Sequence, residues 1–313
     1  MTFEWTETST SLKFRLGELT LFSVHFPCLA LMTQFTSLGC DPMHPRPPFE
    51  RFASGIEVAM MRSHPIKEKL PLITPLPEAI RYVPSQYLHY YTNLEAPFDA
   101  YLKKFSPKSR STLLRKVRKF ADASGGITNW REFTLADEMQ EFYSQAREVS
   151  RKTYQERLLD AGLPEDPQFL RNAREMAANG NARGYILYLD GRPIAYIFCP
   201  IVEGAVLYEY VGYDPECQHL SPGTVLQYLV LEKLMSQGGC KIFDFTEGQG
   251  PHKEFFSTHN VLCADIFYFR PTVRNRILLS LHALTDSLSD KAAALLDRLG
   301  LKARIKTFIR KAS

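Results

Sequence analysis

The chain has 313 residues, 23% charged and 45% apolar, with a formal net charge of +4. That is enough for one large or two small domains with a sizeable core, and the charge excess is too small to point to nucleic acid by itself. The six cysteines (Cys28, Cys40, Cys199, Cys217, Cys240, Cys263) show neither a CxxC pair nor metal-ligand spacing with histidine, so no metal is expected, and their apolar settings suggest buried thiols in a reducing, cytoplasmic compartment.

Residues 12–37 read as strand-like, apolar material. Residues 19–40 carry no formal charge and match a membrane helix in length, but Pro27, His25 and Gln34 interrupt them. A strand followed by a buried helix is the expectation there. Glu4, Glu7 and Glu18 rule out a cationic leader region of the secretory kind. The proline-rich run from Asp41 to Pro48 is a loop, and residues 55–61 and 87–94 read as strands. Ser106-Pro107 opens a helix that runs to about Ala123, where Ser124-Gly125-Gly126 ends it. A strand is expected over 127–133, a long amphipathic helix over 135–154 and a second helix over 166–178.

The period then changes to two. Residues 184–189, the Asp190-Gly191 turn, residues 193–200, the Glu203-Gly204 turn and residues 206–214 spell a three-stranded antiparallel meander. Ser221 as cap and Pro222 at the first position start an apolar helix through Leu234, closed by Gly238-Gly239. Strands at 241–246 and 261–269 follow, separated by a loop, Gly248-Gln249-Gly250-Pro251, that enters a short helix. From Lys291 onward, leucines and isoleucines alternate with seven basic residues and the single acid Asp297. Such a tail either packs on its own domain or rests on an anionic membrane surface.

A helix that opens with Pro222-Gly223 leaves backbone N–H groups free and lets an anion approach them closely, as a pyrophosphate requires. Gln218-x-x-Ser221-x-Gly223 resembles the Gln/Arg-x-x-Gly-x-Gly/Ala loop that grips the coenzyme A pyrophosphate in GNAT acyltransferases. Ser221 stands where that superfamily usually has its first loop glycine. The longer set resembles the FemAB-like acetyltransferases of the cellulose-biosynthesis (CelD) type: Gly212-Tyr213-Asp214, Ser221-Pro222-Gly223, Asp244-Phe245, Gly248 and Lys253, with Arg81 to Pro84 and Lys108 to Arg118. The likeness spans roughly residues 50–270.

The resemblance implies an α/β (α+β) fold of two GNAT-like halves, the N-terminal one diverged over 1–105, the acyltransferase domain over 106–270 and a basic helical tail over 271–313. It implies acetyl-CoA or another acyl-CoA as co-substrate, bound by Gln218, Ser221, Pro222, Gly223 and Thr224. An amine acceptor, a saccharide or peptide of polysaccharide or cell-envelope metabolism, would accept the acyl group. FemAB relatives suggest aminoacyl-tRNA as the alternative donor, and a degenerate fold used as a binding module in polysaccharide export is the non-enzymatic alternative.

Amide formation needs a base to take the amine proton. Asp244, in an apolar strand, is either that base or a brace for the turn toward Gly248. Glu209 is the second candidate, and alternation leaves open whether Glu209 or Tyr208 and Tyr210 face the thioester. His252 is a candidate for substrate binding and proton transfer, Lys253 for holding a phosphate or an acceptor carboxylate, and Arg110 and Arg115, on the helix of Lys108 to Lys119, which contains no acid, for holding an anionic acceptor. The chain has no Gly-x-Ser-x-Gly elbow, so direct transfer without an acyl-enzyme is expected. A cytoplasmic protein is expected, at most peripheral at the inner face of the membrane.

Overall fold

A computed structural model of the protein describes residues 5–16, 19–32, 45–153 and 162–298. The helix expected before Cys40, the last residue of the helix expected to end at Tyr154, and the tail beyond residue 298 lie outside the described residues. In chain order the strands and helices are β1 Thr6–Leu16, β2 Leu19–Met32, β3 Val58–Pro65, β4 Ile73–Pro75, β5 Ile80–Asn93, α1 Phe98–Leu102, α2 Pro107–Ala123, β6 Trp130–Phe133 and α3 Met139–Ser150. They continue as α4 Pro167–Ala178, β7 Ala182–Leu189, β8 Arg192–Val202, β9 Ala205–Leu207, β10 Tyr210–Tyr213, α5 Pro222–Gln237, β11 Ile242–Asp244, α6 Pro251–Phe256, β12 His259–Phe269 and α7 Val273–Arg298. Short 3-10 turns occupy Phe49–Ser54 and Pro215–Leu220.

Two compact units result, one from Met1–Thr33, Cys40–Tyr87 and Leu262–Ser313, the other from Gln34–Gly39 and Leu88–Val261. The expected limits at 105 and 270 do not coincide with these. In the first unit β1 and β2 form a hairpin, β2 pairs in parallel with β3, and the far part of β12 returns antiparallel to β3, from Cys263 opposite Pro65 to Phe269 opposite Val58. Long-range pairing of this kind leaves no local sequence signal. Helix α7 packs on β1 and buries Leu279 among Leu12, Phe14, Phe26, Val58, Tyr82 and Phe269. Within that core the Tyr82 hydroxyl meets His282 Nδ1 at 2.7 Å. Burial raises the Tyr82 phenol, so it stays protonated and suits this structural bond.

The second unit is a mixed sheet in the order β5-β11-β9-β8-β7-β6, with β10 paired to β8. Period-two alternation puts Tyr185, Leu187, Ala195 and Ile197 on one face, with α2 and α5. Ile186, Tyr196 and Phe198 lie on the other, with α3 and α4. Helix α5 is apolar on nearly every side and is buried accordingly. Each of its fully buried Val225, Leu226, Val230 and Leu231 contributes about 1.5–3 kcal/mol of transfer free energy.

Local caps explain the helix limits. The Ser106 hydroxyl accepts from the Ser109 N–H and Asp166 accepts from the Gln168 N–H, each ahead of a proline. Helix α3 starts four residues later than the apolar period suggests. The Glu138 carboxylate accepts the N–H groups of Thr134 and Leu135 and folds that stretch into a turn.

Candidate active site

The third strand of the meander is broken, and the break is the centre of the candidate site. Val206 lies opposite Ile201 and Tyr210 opposite Phe198, so one extra residue is accommodated at Tyr208-Glu209. That is a β-bulge, which bends its strand and re-aims side chains. On the other side β9 runs parallel to β11, ending at Leu207 opposite Asp244. The Tyr208 N–H to Asp244 carbonyl bond, 2.8 Å, is the last between them. Beyond it β10 pairs with β8 alone among the described residues.

The register says which groups this leaves open. The Asp214 N–H donates to the Ile194 carbonyl at 2.8 Å. By antiparallel alternation Gly212 and Tyr210 therefore bond to β8, and the N–H and C=O of Val211 and Tyr213 point to the unpaired edge. Gly212 is the only residue that fits its place: a Cβ there would lie 2.6 Å from Tyr196 Cε1 and 2.8 Å from Thr153 Cγ2.

The edge leads to the start of α5. Ser221 has φ +55°, the left-handed region, which accounts for the glycine that GNAT loops usually carry at this place. Its side chain makes no cap bond. The first helical bond is the Val225 N–H to the Ser221 carbonyl. Pro222 has no N–H, so the amides of Gly223 and Thr224 have no protein acceptor among the described residues. Free amides of this kind at a helix start are what an anion requires. Gly223 lies beside Tyr213, with 3.4 Å between a built Cβ and Tyr213 Cδ1. Gln218, exposed on the 3-10 turn, gives its carbonyl to the Ser221 N–H.

Asp214 holds this turn in place. Its buried carboxylate accepts from the Glu216 N–H at 3.0 Å and from Lys152 Nζ at 3.0 Å. That bond raises the lysine pKa. Lys152 carried no sequence signal. Asp214→Ala removes both bonds, at a cost of about 1 kcal/mol for the cap alone, and is expected to weaken acyl-CoA binding about tenfold with kcat at saturation nearly unchanged. Titration calorimetry beside a thermal melt checks this; unchanged affinity with a lowered melting temperature would leave Asp214 only a structural role.

At the bulge, Tyr208 is buried with its ring centroid 5.4 Å from His252, 5.5 Å from Phe243 and 5.6 Å from Phe245. Burial raises its phenol well above the ordinary range, so it stays protonated. Glu209 has an exposed surface, yet the protein packed around its carboxyl desolvates it and raises its pKa, with a Tyr210 hydrogen bond acting in the opposite direction. Burial, and then the Lys253 charge, lower the His252 pKa, which favours the neutral imidazole near pH 7.

Asp244 is 4% exposed. Its Oδ1 meets His89 Nε2 and accepts the Thr246 N–H at 2.7 Å. His89, on β5 and equally buried, was not singled out in the sequence; a lone histidine in an aromatic strand carries no motif. Lys253 Nζ donates to the Glu247 carbonyl at 2.6 Å, and burial lowers its pKa. Asp244, His89 and Lys253 thus brace the turn after β11.

Arg110 is half-buried and Arg115 exposed on α2, with no carboxylate partner for either among the described residues. Helix α2 packs on α5 and on the 215–220 turn. Lys119, one turn beyond Arg115, donates to the His219 carbonyl at 2.9 Å.

Residues 107–254, a little under half of the chain and all within the second unit, match the family model for an acetyltransferase (GNAT) domain. No curated protein matches the chain in sequence. Among solved structures the chain is similar to FemX, with TM-score 0.52, 11% identity and coverage of 88% of this chain and 90% of that one. It is similar to the C-terminal DUF2156 domain of a protein assigned as a lysylphosphatidylglycerol synthetase from Agrobacterium fabrum (TM-score 0.52, 10% identity, 83% and 84% covered). A conserved protein of unknown function from Bacteroides thetaiotaomicron is also similar (TM-score 0.51, 14% identity, 77% and 79% covered). At these identities the likeness is one of fold. The fold is GNAT-like, and residues 107–254 form the domain of an N-acyltransferase.

Proposed function

We propose that the protein transfers an acyl group, acetyl in the simplest case, from coenzyme A directly to an amine. The observation that carries this reading is the open edge of β10, which runs from the bulge at Glu209 to the free amides of Gly223 and Thr224. An extended arm with two amides adds to such an edge as a strand does, its pyrophosphate meets the helix start, and its thioester then lies at the bulge. In this reading Ser221, Pro222 and Gln218 shape the phosphate end, and Arg110 and Arg115 hold anionic groups of donor or acceptor.

In the reaction the amine attacks the thioester carbonyl, the C–N bond forms and the C–S bond breaks. Glu209 takes the amine proton, directly or through water, and the coenzyme A thiolate leaves. Tyr208, held protonated, is the proposed hydrogen-bond donor to that sulfur, which takes its proton from water, and neutral His252 beside it is a second proton carrier. Burial raises the thiols of Cys199, Cys217 and Cys240, which disfavours thiolate attack and a covalent acyl-enzyme.

The acceptor we propose is an amine of polysaccharide or cell-envelope metabolism, in keeping with the CelD-type motif residues. Titration calorimetry with acetyl-CoA and with coenzyme A tests the donor: saturable heat with both is expected, and no heat or thermal shift with any short or long acyl-CoA overturns the reading. The unpaired bases of α2 favour one second reading, aminoacyl transfer from charged tRNA. Steeply salt-dependent tRNA binding, with no response to acyl-CoA, would decide for it.

A further inference from the structure

Helix α7 has a second apolar face that its own unit leaves uncovered. Asn275, Leu279 and His282 are buried inward, whereas Val273, Ile277, Leu281, Leu284 and Leu288 are between 47% and 74% exposed. Their spacing of four, four, three and four places them within an arc of about 80° and along about 22 Å of helix. Phe22 on β2 is equally exposed and stacks on Phe14, which in turn meets the edge of His282. Among the described residues no helix is long and apolar enough to cross a membrane.

The unpaired charges that the described residues place around the stripe are positive. Arg270 and Arg276 are exposed, with no carboxylate partner among the described residues, and Arg274 on the opposite border reaches Glu57 at 3.2 Å. The other described residues of the exposed face are Ser280 and Ser287, so it holds no acid. Asp286 is turned toward His282, 3.1 Å away. From residue 290 on, the sequence adds Lys291, Arg298, Lys302, Arg304, Lys306, Arg310 and Lys311 against two acids, Asp290 and Asp297.

We infer that this face of α7 docks the protein on an anionic lipid surface, lying in the plane of the interface. A narrow apolar stripe bordered by arginines, with no acid, fits lipid tails beneath a layer of negative headgroups. A second copy of the chain is the competing occupant, because the spacing four, three, four from Ile277 to Leu288 also suits a two-helix seam. The next position of that seam in the sequence is Lys291, and two copies would bring like charges together. The charge pattern therefore selects the bilayer. This inference does not depend on acyl transfer, and its failure leaves the enzyme reading intact.

The test uses the full chain, sedimented with vesicles of equal parts phosphatidylglycerol and phosphatidylcholine, or of phosphatidylcholine alone. Partitioning is expected to favour the anionic vesicles by about tenfold or more and to fall at high salt. The double variant Ile277→Glu, Leu284→Glu should lose about tenfold or more of that binding with an unchanged thermal melt, since both side chains are exposed. Failure to bind either vesicle, or equal binding to both, overturns the inference. So does undiminished binding by the double variant, which would assign the effect to the tail. A wild-type dimer that the double variant dissolves, without vesicle binding, assigns the face to a second copy.

Discussion

Gly223→Glu is expected to abolish acyl-CoA binding while leaving the fold intact. The new Cβ has room, because its nearest neighbour is Tyr213 Cδ1 at 3.4 Å. A carboxylate in the first turn of α5 also interacts favourably with the helix dipole, and replacing a helical glycine does not lower stability. The change therefore strikes the ligand alone. A unit charge about 4 Å from a phosphate oxygen costs about 4 kcal/mol at the effective dielectric of a protein surface, which corresponds to roughly a thousandfold in affinity. Calorimetry against coenzyme A, with a thermal melt of each protein, checks both halves. Gly223→Ala separates charge from bulk and should weaken binding by less than about tenfold. If Gly223→Glu bound coenzyme A as the wild type does, the pyrophosphate would have to lie elsewhere.

Local chemistry made much of the second unit legible. Ser106-Pro107, Asp166-Pro167 and Ser221-Pro222 each open a helix where the sequence places it, and Asp190-Gly191 and Glu203-Gly204 turn the meander where expected. The bulge at Tyr208-Glu209 was not legible. It depends on how far β9 follows β11 before the two part, and that is a matter of pairing between residues some 37 positions apart. The same limit hid His89 and Lys152, whose partners Asp244 and Asp214 lie 155 and 62 residues away. It also hid the return of β12 to β3, since strand alternation fixes a face and not a neighbour. Ser221 shows the converse. A sequence pattern marked it as a departure, and the positive φ supplies the physical reason for the glycine it replaces.

The two carboxylates of the site should respond to substitution in opposite ways. Glu209→Gln is expected to lower kcat by about 10²- to 10⁴-fold, the usual contribution of a general base, with little change in acyl-CoA affinity. In the wild type the acid limb of the kcat/KM profile should lie above the ordinary carboxylate range, because burial raises the Glu209 pKa. That limb should vanish in the variant. The stability effect has the opposite sign. A carboxyl whose folded pKa is raised binds its proton more tightly when folded, so stability falls as pH rises from the unfolded toward the folded pKa. Glu209→Gln removes that penalty and should melt no lower than the wild type at neutral pH. Asp244→Asn should do the reverse. It leaves an acceptor for the Thr246 N–H but removes the charge opposite buried His89, a loss of about 2–3 kcal/mol of stability, with kcat of the folded fraction kept within about tenfold. Single-turnover rates and thermal melts on both variants over a pH series separate the roles. A rate lost in Asp244→Asn and kept in Glu209→Gln would reverse the assignment and make the buried His89–Asp244 pair the proton acceptor.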